Sequence, residues 1–224
     1  KSIDHTMSEI EATCMMGKLR VAVKGKGNFR KDLYPEYKAN RKELDDELRK
    51  SLAYGHEHMV SYYDAFKADG MEADDLVAIW AYEARELEKP YFIVGIDKDL
   101  LQIPGNHYNF NKKIHRFVDD DEANLNLNLQ CLVGDNSDNI PGIKGVGPVK
   151  AAKILENVPM DKRQDRVEQE WKYHNAGYPD VSRRLLTMLK SWKEYEEIRQ
   201  HIQDEAAVSE QDVRSKGQED IQES

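Results

Sequence analysis

The sequence has little cysteine and no long run of apolar residues. Its two cysteines, Cys14 and Cys131, cannot form a disulfide framework or a four-ligand zinc site, so a reducing compartment is expected. No stretch approaches the roughly 18 consecutive apolar residues of a membrane helix, and no signal-peptide pattern opens the chain. With 224 residues, 33% of them charged, and a mean hydropathy of -0.80, the composition predicts a soluble chain of one ordinary domain plus a small addition.

Positive charge is outnumbered by negative charge overall, with 33 Lys and Arg against 42 Asp and Glu, but it is unevenly distributed. The net charge of -9 argues at first against a polyanionic partner. However, the segment Gly17–Lys42 has nine Lys and Arg against two acids, a net +7, with Phe29, Tyr34 and Tyr37 among them. Cations interleaved with aromatics suit a phosphate backbone with exposed bases, although a solvated surface is the ordinary alternative. From Asp204 onward, seven acids against two bases give a net -5, so much of the acidity lies in the tail.

The hydrophobic pattern predicts an α/β protein. Apolar residues recur at helical spacing in six segments, 2–16, 43–66, 73–88, 119–133, 150–157 and 182–202, with Gly55 as a possible interruption of the second. Strands are predicted over 19–23 and 91–96, and a pair of short strands within 107–118. Because the segment 91–96 is continuously apolar, it suits a strand buried on both faces, and we expect a mostly parallel central sheet flanked by helices.

Three groups of carboxylates lie beside the ends of predicted elements. They are Glu72, Asp74 and Asp75 at a helix start, Asp97 and Asp99 after a strand, and Asp135 and Asp138 in the turn 134–142. Helix capping, a simple turn and an Asx turn are the respective alternatives. Together, with no Cys or His motif nearby, seven carboxylates form an all-oxygen ligand set that suits Mg²⁺ or Mn²⁺. Two such ions about 4 Å apart would relieve the repulsion and clamp the attacking water and leaving oxygen of phosphodiester hydrolysis.

A glycine-rich segment over 142–150 follows the third acidic group. It fits neither the P-loop nor the dinucleotide fingerprint, because Pro148 follows Gly147 and Lys150 stands where the last glycine of the dinucleotide pattern belongs. It does fit the turn of a helix-hairpin-helix, in which glycines expose backbone N–H groups to a phosphate. A plain tight turn is the alternative.

These segments together resemble the 5′ nuclease or flap endonuclease superfamily, which includes bacteriophage 5′-3′ exonucleases and the 5′ nuclease domain of bacterial DNA polymerase I. The matching strings are 24–26 with 29–30, 37–41, 72–75, 97–99, and 134–142 running into 145–147. The resemblance implies a PIN-like 5′ nuclease fold with a helical arch and a C-terminal helix-hairpin-helix region. We therefore expect a nuclease core over 1–133 with a basic arch segment at about 28–66, a helical region over 134–203, and a frayed or disordered acidic tail over 204–224.

The resemblance also implies roles for individual residues. Glu72, Asp74, Asp75 and Asp97 would hold or support a first metal ion, and Asp99, Asp135 and Asp138 a second, with Asp74 and Asp75 counted as catalytic. Lys38 and Arg41 would lie on the arch helix, stabilise the scissile phosphate and thread the 5′ end. The expected DNA contacts are Lys24, Lys26, Arg30, Tyr37, Lys38, Arg41, Gly142, Gly145, Gly147 and Lys150. The backbone of Ile143 and Val146 would hold K⁺.

The activity implied is Mg²⁺-dependent hydrolysis of DNA at 5′ ends, flaps or junctions, releasing 5′-phosphorylated products in replication or repair. A monomer without membrane contact is expected, in the cytoplasm of a bacterium or of a phage-infected cell. The alternatives are a catalytically impaired DNA junction-binding module and a metal-dependent phosphatase, although a phosphatase needs neither the glycine hairpin nor the basic aromatic segment.

Two aspartates of the family pattern are missing from this sequence. One normally ends an apolar strand near the start, and nothing before Ser2 supplies it; since the sequence opens at Lys1 without methionine, we expect a fragment or a trimmed product. The other belongs at Ala22, or at Val23 under a one-residue shift. We therefore expect weak or absent cleavage with retained junction binding, through an inactivating change at Ala22 or through natural divergence.

Overall fold

The computed structural model describes residues 2–15, 17–174, 180–205 and 207. The expected acidic tail over 204–224 lies almost entirely outside these residues. In chain order the elements are α1 Ile3–Cys14, β1 Ala22–Lys24, α2 Phe29–Leu33, α3 Asp46–Tyr63, β2 Phe66–Ala68, α4 Ala73–Glu86, β3 Phe92–Val94, β4 Gly105–Asn109, β5 Ile114–Val118, α5 Asp120–Val133, α6 Pro148–Leu155, α7 Arg163–Tyr173, α8 Asp180–Leu186 and α9 192–205. In the described part of the chain, no helix is long and apolar enough to cross a membrane.

The strands form two small sheets that are mainly parallel. In the first, β1 pairs in parallel with β2, and Ala22 lies opposite Phe66. In the second, β3 pairs in parallel with β4, which pairs with β5 in the antiparallel direction. Ala22 of β1 and the segment 94–97, which begins at the last residue of β3, line one cavity of about 630 Å³, under α1 and beside the start of α4. The α/β class with parallel strands flanked by helices is confirmed, although the central sheet is divided.

Capping groups explain where several helices begin. The Ser2 side chain accepts from the backbone N–H of His5 at the start of α1, and the Asp45 side chain accepts from Leu48 at the start of α3. At the start of α4, Glu72 and Asp75 form a capping box. A residue of this type before an apolar run satisfies backbone N–H groups that have no partner in the helix.

Two of the predicted helices differ in the structure. The helix predicted over 43–66 is continuous through Gly55 and ends at Tyr63, because Asp64 adopts a left-handed conformation with φ 48°. The chain then forms β2, which the sequence did not predict. The helix predicted over 182–202 is broken after Leu186, and α2 and α7 were not predicted. The break has a tertiary cause, described below.

A hydrophobic core joins the third acidic turn to the glycine-rich segment. Leu132 of α5, Ile140, Ile143 and Val146 are buried together with residues of α6, α7 and α8. The ring of Tyr37 packs in the same cluster, although it lies about a hundred residues earlier in the chain. This core therefore places the chain before α3 against the loop that follows α5.

Candidate metal and nucleic-acid site

The three carboxylate groups meet at one place. Glu72, Asp74, Asp99 and Asp138 line a single small pocket, although they come from the start of α4, the turn after β3 and the loop after α5. Asp97 and Asp135 lie close enough for their charges to act on Asp74 and Asp99, respectively. Because the carboxyl ends of strands and the amino ends of helices meet at one sheet edge, the fold concentrates negative charge there.

This concentration of charge perturbs two of the carboxyl groups. Burial, followed by the charges of Asp97 and Glu72, raises the pKa of Asp74 to about 7. Burial, followed by the charge of Asp97, raises the pKa of Asp99 to about 6. Both shifts mean that the ionised forms lack sufficient positive charge nearby. A site with this property attracts cations, and oxygen ligands favour hard divalent ions.

The donor chemistry fits a divalent cation, but the side chains are not arranged as a finished site. Within the described ranges, no three Asp, Glu, His or Cys side chains are placed to hold one metal ion together. Three cations lie among the carboxylates instead. The Lys38 ammonium contacts Glu72 and lies 3.4 Å from Asp138, Arg41 lies 2.6 Å from Asp138, and Lys98 lies 3.2 Å from Asp135.

Lys38 and Arg41 reach the pocket from a turn, so their predicted location on the arch helix is wrong. The turn precedes α3, and Lys38 has a φ of 60°, which few residues other than glycine adopt. The backbone N–H of Lys38 donates to the carbonyl of Asp138 over 2.9 Å. The Asn40 amide donates to the carbonyl of Asn136 over 2.7 Å. These bonds attach the turn to the third acidic loop, and they hold both cations at the carboxylates.

Asp75 and Arg30 were assigned wrongly to metal and to DNA. They form a buried ion pair with two bonds of 2.5 and 2.8 Å, and their side chains are 1% and 4% exposed. Burial lowers the pKa of Arg30, but the charge of Asp75 outweighs it and the net shift is upward. The guanidinium also donates to the carbonyls of Leu185 and Thr187, and Asp75 accepts from the backbone N–H of Leu189. This pair therefore holds the break between α8 and α9.

Tyr37 was also assigned wrongly, because its ring is not available to DNA. The residue is 2% exposed. Its hydroxyl lies 3.2 Å from Glu72 and 3.1 Å from Asp138, between the first and third acidic groups. Burial, followed by the charge of Glu72, raises the pKa of Tyr37 far above its usual value. The hydroxyl therefore remains protonated and links two carboxylates of the pocket.

Asp135 has a full set of partners in its own loop. One of its oxygens accepts from the backbone N–H and the hydroxyl of Ser137, over 2.8 and 2.6 Å. Burial opposes the charged form of Asp135, but these bonds and Lys98 outweigh it and the pKa lies below its usual value. The Asx-type turn that the sequence allowed is therefore present, and the second oxygen faces Lys98.

The glycines after this loop serve different purposes. A Cβ on Gly142 would lie 2.0 Å from the carbonyl oxygen of Val133, so Gly142 is required for packing and is not free to meet DNA. Gly145, with φ 80°, and Gly147, at the start of α6, are exposed and face open space. Lys150 is exposed on α6. Their contacts with DNA, and K⁺ binding by the backbone of Ile143 and Val146, remain predictions.

Position 22 lies near the first acidic group. Ala22 lines the cavity of about 630 Å³ together with Asp74 and Asp97. Lys24 and Lys26 follow it and are exposed, so they remain available to a polyanion. The structure thus places position 22, which lacks a carboxylate, in the cavity that Asp74 and Asp97 line.

The amides of Gln102 and Gln130 also contact the site, and no sequence pattern predicted either residue. Gln130, in the last turn of α5, donates to the carboxylate of Asp99. Gln102 donates to Gln130 and to the carbonyl of Leu186. An isolated glutamine in a helix has no sequence signature, so only the fold could reveal these contacts.

Comparisons with known proteins identify the family to which the chain belongs. Residues 4–126 match the family model described as 5′-3′ exonuclease, N-terminal resolvase-like domain. The DNA polymerase I of Rhizobium leguminosarum is 36% identical over 138 residues, which are 57% of this chain and 14% of that protein. The flap endonuclease Xni of Shewanella baltica is 31% identical over 140 residues, 58% of this chain and 53% of that protein. The chain thus spans about half the length of the second relative and much less of the first.

Solved structures show the same fold. The bacteriophage T5 5′-exonuclease with bound divalent zinc ions has a TM-score of 0.61 at 18% identity, covering 89% of this chain and 88% of that one. The T5 flap endonuclease in a pseudo-enzyme-product complex with DNA and metal ions has a TM-score of 0.61 at 21% identity, covering 98% and 88%. At these identities the likeness concerns the fold. With more than half of its residues matched by the family model, the chain belongs to the 5′-3′ exonuclease family through its N-terminal resolvase-like domain.

Proposed function

We propose that the chain is a structure-specific 5′ nuclease scaffold that binds DNA at 5′ ends, flaps or junctions. It would hydrolyse phosphodiester bonds as a 5′-3′ exonuclease or a 5′-flap endonuclease, in replication or repair. The meeting of three sequence-distant carboxylate groups beside Lys38 and Arg41 carries this proposal. The related proteins named as DNA polymerase I and flap endonuclease Xni support it.

Two divalent ions, Mg²⁺ or Mn²⁺, would supply an activated water and neutralise the leaving oxygen. Asp74, Asp97 and Glu72 are the residues proposed to hold the first, and Asp99, Asp135 and Asp138 the second. The pocket is about 20 Å³ as it stands, and the Lys38 ammonium contacts Glu72 and lies 3.4 Å from Asp138, two of the residues that line it. Lys38 must therefore withdraw from Glu72 and Asp138 when cations enter. Its charge is then free to bind a phosphate oxygen of the DNA.

Arg41 contributes in a similar way from the same turn. Its side chain is 56% exposed and contacts only the outer oxygen of Asp138 and the carbonyl of Ser137 among the contacts described. An exposed guanidinium can form two parallel bonds to a phosphate, so Arg41 would orient the DNA backbone over the pocket. The exposed N–H groups near Gly145 and Gly147 would hold the duplex at a second point.

A junction-binding module with impaired catalysis is the second candidate. It is favoured by one observation, that Ala22 stands beside Asp74 and Asp97 without a ligating group. Under this hypothesis binding is retained and hydrolysis is weak, because a missing ligand removes part of the charge stabilisation of the transition state.

Binding of a labelled 5′-flap duplex tests the proposal directly. We expect the chain to bind the flap more tightly than single-stranded DNA of equal length, in Ca²⁺ to suppress cleavage. The variant Lys38→Ala combined with Arg41→Ala should weaken flap binding at least tenfold. The control Lys193→Ala removes a lysine that is 85% exposed on α9 and should change little. Equal affinity for the flap and the single strand would refute the proposed function.

A further inference from the structure

A neutral amide, and not a cation, contacts the carboxylate of Asp99 from α5. Gln130 lies in the last turn of α5, and its Nε2 donates to Oδ1 of Asp99. Elsewhere in the pocket the described contacts to Glu72, Asp135 and Asp138 include Lys38, Arg41 or Lys98. Asp99 is therefore held in place by an uncharged partner, although the charge of Lys98 also acts on it.

The orientation of the Gln130 amide is determined by a chain of bonds that begins at the backbone. The carbonyl oxygen of Leu186 can only accept, and it lies 2.9 Å from Nε2 of Gln102. Gln102 is 8% exposed, and the second N–H of the same Nε2 donates to Oε1 of Gln130. Since Oε1 of Gln130 is thereby engaged, its Nε2 must face Asp99. The reversed amide would place an oxygen against the carboxylate.

We propose that Gln130 is a positioning residue for Asp99, and that Gln102 fixes Gln130 in turn. The bond occupies Oδ1 of Asp99, a residue that lines the pocket, and leaves Oδ2 outside this bond, so Oδ2 is the oxygen proposed to bind the cation. The chain of bonds also joins the end of α8 to the cluster, so the packing of α8 determines where one proposed ligand lies. This role rests on the proposed function, because it concerns the cation of that same site.

Groups that orient a ligand without touching the metal typically affect metal affinity by about 10-fold to 100-fold. Gln130→Met keeps the length of the side chain and removes the donor. We therefore expect Mn²⁺ to bind the full chain about 10-fold more weakly in this variant, measured by titration calorimetry without DNA. The variant should unfold at nearly the same urea concentration as the unaltered chain, which separates positioning from loss of structure.

Gln102→Met interrupts the same chain of bonds and leaves the residues Asp99 and Gln130 themselves unaltered. It should weaken Mn²⁺ binding to a similar extent, and the double variant should be no weaker than either single one, because both changes release the same amide. The matched control is Gln164→Met, since the Gln164 amide also donates to a carboxylate, that of Glu168 over 3.1 Å, but on the exposed face of α7. That control should leave the affinity unchanged.

The possible failures can be distinguished. If the unaltered chain does not bind Mn²⁺, the proposed metal site is refuted, and the role of Gln130 with it. If the unaltered chain binds Mn²⁺ while Gln130→Met and Gln102→Met bind it equally well, the positioning role alone is refuted. Additive losses in the double variant would likewise overturn the coupling between the two amides. If Gln130→Met does not fold, the affinity of the Gln102→Met variant for Mn²⁺ decides whether the positioning role holds.

Discussion

The buried ion pair between Arg30 and Asp75 gives a quantitative test of which acids are structural. Both side chains are nearly excluded from water, and two bonds of 2.5 and 2.8 Å join them. Asp75→Asn removes the countercharge and leaves the guanidinium buried. Breaking such a pair typically costs about 3–5 kcal/mol, because an uncompensated charge remains in the interior. We expect a loss of this size in the free energy of unfolding.

A double-mutant cycle measures the interaction free energy between Arg30 and Asp75 separately from their other contacts. Arg30→Met combined with Asp75→Asn removes both charges, so it should be more stable than the sum of the two single losses predicts. The recovery is incomplete, since the carbonyls of Leu185 and Thr187 lose a donor. The measurement is urea unfolding followed by tryptophan fluorescence.

The exposed pair between Arg85 and Asp120 is the matched control. It has the same two-bond geometry, with both distances 2.7 Å, but the side chains are 43% and 58% exposed. Asp120→Asn should therefore cost less than about 1 kcal/mol. If Asp75→Asn were as mild as this control and weakened Mn²⁺ binding instead, Asp75 would be a metal ligand and the structural role would be refuted.

Three further predictions concern the carboxylate cluster and its supports. Burial and neighbouring charges raise the pKa of Asp74 to about 7 and that of Asp99 to about 6, so the stability that their protonated forms contribute is present below about pH 4, falls between pH 4 and these values, and is lost above them. Without metal, the unfolding free energy should fall by at most about 1.4 kcal/mol per pH unit for Asp74 between about pH 4 and 7, and by less for the more exposed Asp99 between about pH 4 and 6; a rise over this range in urea denaturation series would contradict this. Lys38→Met should tighten Mn²⁺ binding in calorimetry, because the lysine no longer competes for Glu72, and yet weaken flap binding; weaker Mn²⁺ binding would contradict the competition. Gly142→Ala should lower the urea midpoint strongly, since its Cβ would meet backbone at 2.0 Å, whereas Gly147→Ala meets nothing within 4 Å, and equal midpoints would refute the packing role.

The sequence predicted those features that depend on local patterns. Helix α4 and strand β3 appear where periodicity and apolar runs place them, because capping groups and side-chain burial act within a few residues. The acidic groups at the ends of these elements therefore could be located in advance. Their shared places beside the ends of elements predicted one ligand set, and the family resemblance assigned its members to two metal ions; the pocket brings Glu72, Asp74, Asp99 and Asp138 together.

Choices between neighbouring residues could not be predicted in the same way. Asp74 and Asp75 are adjacent on a helix, so their side chains point about 100° apart, and although both line the pocket they have different partners. The partner of Asp75 depends on the place of Arg30, 45 residues earlier in the chain. The break after Leu186 has the same origin, because Arg30 and Asp75 satisfy backbone groups there. Tertiary partners of this kind leave no periodic signal in the sequence.

Restoring a carboxylate at position 22 tests the central claim most directly. Ala22 shares a cavity with Asp74 and Asp97, so Ala22→Asp would add a ligating oxygen to the first acidic group. Cleavage of a 5′-labelled flap duplex in Mg²⁺ or Mn²⁺ should be weak in the unaltered chain and at least tenfold faster in Ala22→Asp. Adding Asp74→Asn to that variant should abolish the gain. Rapid cleavage by the unaltered chain would contradict the predicted loss of activity at position 22, and a gain that survives Asp74→Asn would contradict the proposed metal site.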